Sequence, residues 1–169
     1  MRRVAVVQAD PYPGISAGDI AERLFPGAPV VPHRWRRPAG HPAFELLSFQ
    51  RWLSIEDISA IVLLQHREML AGTPTDEKIV AFTDQVRLVL LVLDVATLPV
   101  VERVVVVGSD VLRRGDGTPR RAPEPDGDLA GLLQYYSEKV TTCYGTATDK
   151  ASVVRWTGAQ AIPSRGTRP

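Results

Sequence analysis

Three apolar runs that do not alternate constrain this chain most: Val4-Ala5-Val6-Val7, Ala60-Ile61-Val62-Leu63-Leu64 and Val104-Val105-Val106-Val107. Successive side chains of a strand point to opposite faces, so a strand that is apolar at every position must be covered on both. A parallel sheet with helices above and below meets that condition, and between the runs the apolar spacing becomes helical. Ser16, with Asp19 three residues on, is an N-cap candidate for a helix whose apolar face is Ile20, Ala21, Leu24 and Phe25. A second helix is expected over residues 43–53, with Phe44, Leu47 and Trp52 facing inward. Thr75 caps a third over 76–97, with Ile79, Phe82, Val86, Leu90 and Leu93 as its core face, and a fourth covers 129–140. Pro29-Val30-Val31-Pro32 reads as a short strand held at an edge by its prolines, and residues 152–156 as the last strand. The expected fold is a three-layer α/β/α sandwich with a four- or five-stranded, mainly parallel sheet.

A chain of 169 residues suits one domain, expected over 1–162, with a frayed tail over 163–169. The formal charge of +1 excludes nucleic-acid binding through bulk charge, though not through a local basic patch. A single cysteine, Cys143, excludes an internal disulfide framework and suits a cytoplasmic protein. The most apolar stretch, 88–95, is interrupted by Asp94 and falls short of the ~20 residues that span a bilayer, so no membrane partner is expected.

Ligands of such sheets bind beyond the carboxyl ends of the strands, here 8–14, 65–68 and 108–110. The first of these reads Gln8-Ala9-Asp10-Pro11-Tyr12-Pro13-Gly14. It resembles the water-activating segment of uracil-DNA glycosylases, Gly-Gln-Asp-Pro-Tyr-His-Gly. Similar segments follow in the same order. The strand ending in Gln65 resembles the family strand that ends in a base-reading Asn. Phe82-Thr83-Asp84 lies on the following helix, as a similar tripeptide does in that family. Gly108-Ser109 through Arg113-Arg114-Gly115 resembles its Gly-Ser-x-x-x-basic-basic-Gly, and Ala122-Pro123-Glu124-Pro125 stands where the family has His-Pro-Ser-Pro.

The resemblance implies a diverged glycosylase-like protein that binds DNA or a nucleobase-containing ligand at the strand ends. If it is an enzyme, it is a DNA-repair hydrolase of N-glycosidic bonds. Asp10 would then position water, Tyr12 would shape the pocket and Gln65 would read the base edge, with Ala9, Ser109 and Glu124 also at the substrate. Arg34, Arg36, Arg113 and Arg114 would hold phosphates while Trp35 stacks on a base. This chemistry requires no metal and no cofactor. Two departures stand out: Pro13 replaces the motif His, and Glu124 replaces the His that favours the departing base anion, which reverses the electrostatics. A binding or interaction module, or a small-molecule hydrolase, is the alternative on this architecture. The dinucleotide pattern Gly-x-Gly-x-x-Gly, the phosphate loop and the Gly-x-Ser-x-Gly elbow do not occur.

Overall fold

The computed structural model describes residues 2–9, 17–37, 39–70, 72–109, 111–113, 119–121, 129–148, 150–156 and 161–163. Strands and helices follow as β1 (Arg3–Gln8), α1 (Ala17–Leu24), β2 (Val30–Arg34), α2 (Pro42–Ile55), β3 (Ile58–His66), a 3-10 turn (Arg67–Leu70) and α3 (Asp76–Ala96). Then come β4 (Arg103–Ser109), β5 (Val111–Arg113), β6 (Pro119–Arg121), α4 (Leu129–Thr148), β7 (Ala151–Trp156) and β8 (Ala161–Pro163). The main sheet runs β2-β1-β3-β4-β7-β8. Its first five strands are parallel, and β8 adds an antiparallel edge. β5 and β6 form a separate antiparallel pair.

From β1 to β2 the chain moves one way across the sheet; β3, β4 and β7 are added in the other direction. Right-handed crossovers then place α1 on one face and α2, α3 and α4 on the opposite one. The core divides accordingly. Val4, Val6, Val62, Leu64, Val105 and Val107 meet Ile20 and Ala21 of α1. Ala5, Val7, Ile61, Leu63, Val104 and Val106 meet Phe49 and Leu53 of α2 and Leu88, Val89 and Val92 of α3. Alternate residues of each apolar run thus serve opposite layers, and all nine residues of β3 are buried. Ala130 and Leu133 of α4 close on Leu70 of the 3-10 turn, beside Phe82 and Val86.

Thr75 caps α3 as expected, its hydroxyl accepting from the Lys78 N–H at 3.3 Å. At the other end of α3, the Lys150 ammonium donates to the Leu98 carbonyl at 3.1 Å and lies 3.4 Å from that of Ala96. A cation there offsets the partial negative charge of the helix end. The inward faces of two helices differ from expectation. Phe44 and Leu47 of α2 are 70% and 60% exposed, and Ile79 and Leu90 of α3 are also exposed. Both helices carry more apolar residues than one face can bury, so spacing alone does not select the buried stripe. The expected loop over 113–128 holds the β5–β6 pair. Residues 114–118 and 122–128, like 164–169 of the expected tail, lie outside the described residues. No helix among the described residues is long and apolar enough to cross a membrane.

Candidate functional site

The strand order reverses between β1 and β3, and ligands of open parallel sheets sit in the crevice beyond that point. Three consecutive polar residues occupy it. Gln65, His66 and Arg67 are only 1%, 1% and 6% exposed. The Gln65 side-chain amide donates to the Ser137 hydroxyl at 3.0 Å, and that hydroxyl donates to the Leu133 carbonyl at 2.7 Å. His66 Nε2 lies 3.3 Å from Gln8 Oε1, bridging β3 to β1 across the reversal. Arg67 crosses the end of β4 at Gly108. A Cβ there would fall 2.9 Å from Arg67 Nε and 3.1 Å from Gln134 Oε1, so the side chain needs a glycine beneath it. Gln65 is satisfied by the Ser137 hydroxyl, whereas the His66 Nδ1 and Arg67 Nε atoms are buried and make no hydrogen bond among the described residues.

The residues singled out from sequence separate in space. Gln65 cannot read a base edge, because its amide is sealed against Ser137. Trp35 cannot serve as a stacking platform: it is 5% exposed, and its indole N–H donates to Glu45. Arg34 and Arg36 flank it and are exposed. Ala9 follows β1 and is half-buried. Ser109 ends β4 opposite His66 in register, and Arg113 lies in β5 opposite Pro119. Asp10, Tyr12, Arg114 and Glu124 lie outside the described residues.

An open hollow lies instead at the end of β2. Trp35 extends the parallel ladder, its backbone N–H donating to the Gln8 carbonyl at 2.8 Å. Beside it a cavity of about 450 Å³ opens between β2 and α2. His33, Trp52 and Phe49 form its aromatic wall, with ring centroids 4.2 Å apart for His33–Trp52 and 5.6 Å for Phe49–Trp52. Phe44 and Leu91 add apolar surface, and Arg34 and Arg36 also line it. Glu45 is the carboxylate of this lining, and it is spoken for: Arg87 donates to it through Nε at 3.0 Å and is ion-paired with it, Nη2 lying 2.8 Å away, and the Trp35 indole donates to it as well. Burial pushes the His33 imidazole below the usual histidine range.

Sequence reading missed this cavity, because Phe44 was assigned to the core. A signal was present: residues 33–52 hold Trp35, Phe44, Phe49 and Trp52 interleaved with Arg34, Arg36, Arg37 and Arg51. It also missed a pair on α4, where the Lys139 ammonium sits 5.6 Å from the Tyr135 ring centroid. The four-residue spacing of those two, on one helical face, was legible.

No protein-family model matches the chain, and no curated protein matches it. Solved structures do. A partial-consensus L-threonine 3-dehydrogenase superposes with a TM-score of 0.58 at 13% identity, covering 91% of this chain and 52% of that one. A GDP-L-fucose synthetase from Naegleria fowleri gives 0.53 at 10% identity, covering 90% and 49%. A GalE-like L-threonine dehydrogenase from Cupriavidus necator gives 0.50 at 12% identity, covering 92% and 49%. The chain therefore spans about half the length of these proteins and shares their Rossmann-like α/β fold. The expectation of a glycosylase-like, DNA-binding or DNA-repair protein is overturned. The similar structures belong to other classes, Gln65 is sealed and Trp35 is buried.

Proposed function

We propose that this chain is a small-molecule-binding domain on a dehydrogenase-like sheet, with its ligand site at the β2–α2 cavity instead of the strand reversal. One contrast carries the reading: among the described residues, Gln65, His66 and Arg67 at the usual crevice are buried, while a cavity of about 450 Å³ stands open one strand away. That volume lies within the range of small-molecule sites, and an apolar lining with a few polar groups is their usual character.

Sheets of this class often carry a dinucleotide, its pyrophosphate held by backbone N–H groups of a glycine-rich turn after the first strand. The residues here do not fit that group. Pro11 and Pro13 have no N–H to offer, and the Asp10 charge repels phosphate. The His66–Gln8 bridge spans the gap in which the group would lie. Binding without dinucleotide chemistry is the reading that follows.

Two titrations test it. Amide-resolved NMR with a library of small aromatic fragments is expected to move signals of His33, Phe49 and Trp52. Calorimetry with oxidised and reduced nicotinamide dinucleotides is expected to give no saturable heat at millimolar concentration. Fragments that gather at Gln8 and His66 while the cavity stays silent would overturn the proposal, as would micromolar dinucleotide binding.

One observation favours a second reading, alcohol-directed chemistry of the kind named for the dehydrogenases. Tyr135 and Lys139 share an exposed face of α4, next to Gln134, whose amide lies against Gly108 at the end of β4. A phenol beside an ammonium is equipped to exchange a proton with a substrate oxygen. Dinucleotide binding that survives Phe44→Ala would move the balance to this reading.

A further inference from the structure

We infer that the β2–α2 cavity takes a planar aromatic anion, a fused or substituted ring carrying a carboxylate, sulfonate or phosphate; this deepens the small-molecule-binding reading and rests on it. The shape argument comes from the wall. His33 and Trp52, both half-buried, present flat surfaces with centroids 4.2 Å apart, backed by the buried Phe49 ring 5.4 Å from His33. Phe44 leaves 70% of its surface in solvent at the same hollow. Exposed aromatic area of this kind is stabilised when a flat ring is laid against it, through area burial and ring–ring geometry together. A flexible aliphatic chain would gain the burial and lose the stacking.

The charge argument comes from the lining. Arg34 and Arg36 both line the cavity and are exposed. The carboxylate of the lining, Glu45, is turned to Arg87 and the Trp35 indole, so its charge is offset from behind. His33 is held neutral near pH 7 by burial, which leaves the aromatic wall uncharged and the positive charge on the arginines. Guanidinium groups pair with oxyanions through two parallel N–H donors, so the acid group of the ligand belongs at that side and its ring at the wall. A cationic ligand would meet both arginines.

The probe pair is 2-naphthoate and 2-naphthamide, which share a ring system and differ by one charge. Calorimetry and amide NMR are run on the whole chain. Naphthoate is expected to bind at least about tenfold more tightly than the amide, the scale of one charge-assisted hydrogen bond. Its shifts should fall on β2 and α2. Arg36→Gln is expected to remove most of that preference, and Phe44→Ala to weaken both probes alike. Arg51→Gln, an exposed arginine of α2 outside the cavity, is the control and should change neither. Equal binding of the two probes would overturn the anion assignment and leave the binding reading standing. Binding of neither would overturn both, and so would cavity signals that move with protein concentration, which indicate a second copy as the occupant. An equal loss in Arg51→Gln would reduce the preference to general surface charge and overturn the inference.

Discussion

The two hollows at the carboxyl end of this sheet have opposite characters. Where β1, β3 and β4 end, a glutamine, a histidine and an arginine turn inward and are almost fully buried. Where β2 ends, aromatic rings stand partly in solvent around an open cavity. The strands explain the difference. β3 has neighbours on both edges and helices on one face or the other along its length, so the polar groups at its end are buried. β2 is an edge strand with one neighbour. Its last residues and the first turns of α2 are joined only by a short link, and the space between them need not be filled. A doubly wound sheet can therefore bury the polar side chains at its strand reversal and keep a pocket one strand away.

The largest expected effect tests whether α2 is an open wall. Leu53 is fully buried against the sheet, and Leu47 on the same helix is 60% exposed. Leu53→Ala is expected to cost about 2–5 kcal/mol in denaturant unfolding, through lost burial and the hole left behind. Leu47→Ala should stay within about 0.5 kcal/mol. A comparable loss from Leu47→Ala would mean that the outer face is covered in solution, and the contrast between the two regions would break.

A smaller effect tests the sealed crevice. Ser137→Ala takes away the acceptor of the buried Gln65 amide and is expected to cost about 1–3 kcal/mol, the penalty of a buried unsatisfied donor. Gln65→Leu removes the donor itself. Ser137 keeps its bond to the Leu133 carbonyl, so this change should cost less than Ser137→Ala, and the double variant should recover part of the serine loss. If Gln65→Leu is the costlier of the two, the amide makes other bonds and the crevice is not closed in the way described.

These two regions also show how far the sequence could be read. The layers were legible, because unbroken apolar runs such as 104–107 admit no other placement than between helices. The edge position of β2 was legible from Pro29 and Pro32. The state of Gln65 was not, because its partner lies 72 residues away on α4. The cavity was not, because α2 offers two competing apolar stripes: Phe49 and Leu53, or Phe44 and Leu47. Only the tilt of the helix on the sheet decides between them. The glycosylase-like spacing of Asp10, Tyr12 and Gln65 was a pattern in one dimension, and the burial of Gln65 removes one of its three members.

Next in size is the support behind the cavity. Glu45→Gln removes the charge that Arg87 and the Trp35 indole share. The side chain of Glu45 is 9% exposed and that of Arg87 is 32% exposed. The expected cost is about 1–2 kcal/mol in thermal unfolding, less than the ~3–5 kcal/mol of a fully buried pair, because water still screens the guanidinium. Anion binding in the cavity should strengthen in this variant, since a negative charge behind the wall is gone. Weakened naphthoate binding with the fold intact would show that Glu45 shapes the hollow more than it sets its field.

The smallest effect is a pH dependence, and its sign follows from His33. Burial lowers the pKa of this imidazole below its ordinary 6.5, while in the unfolded chain it titrates normally. As pH falls through 6.5 the unfolded state takes up a proton that the folded state refuses, so folding stability declines. The decline ends once pH is below the folded-state value, because both states are then protonated. His33→Phe keeps a ring against Trp52 and Phe49 and removes the titration, so the difference in stability between wild type and variant should shrink above neutrality and grow on the acid side. Binding runs the other way. A protonated His33 adds a positive charge beside Arg34 and Arg36, so naphthoate affinity in the wild type should rise as pH falls toward the folded-state value, at the acid end of the range in which stability falls. Stability and affinity that decline together on acidification, or a variant that keeps the wild-type slope, would place the titrating group elsewhere and remove His33 from the wall of the site.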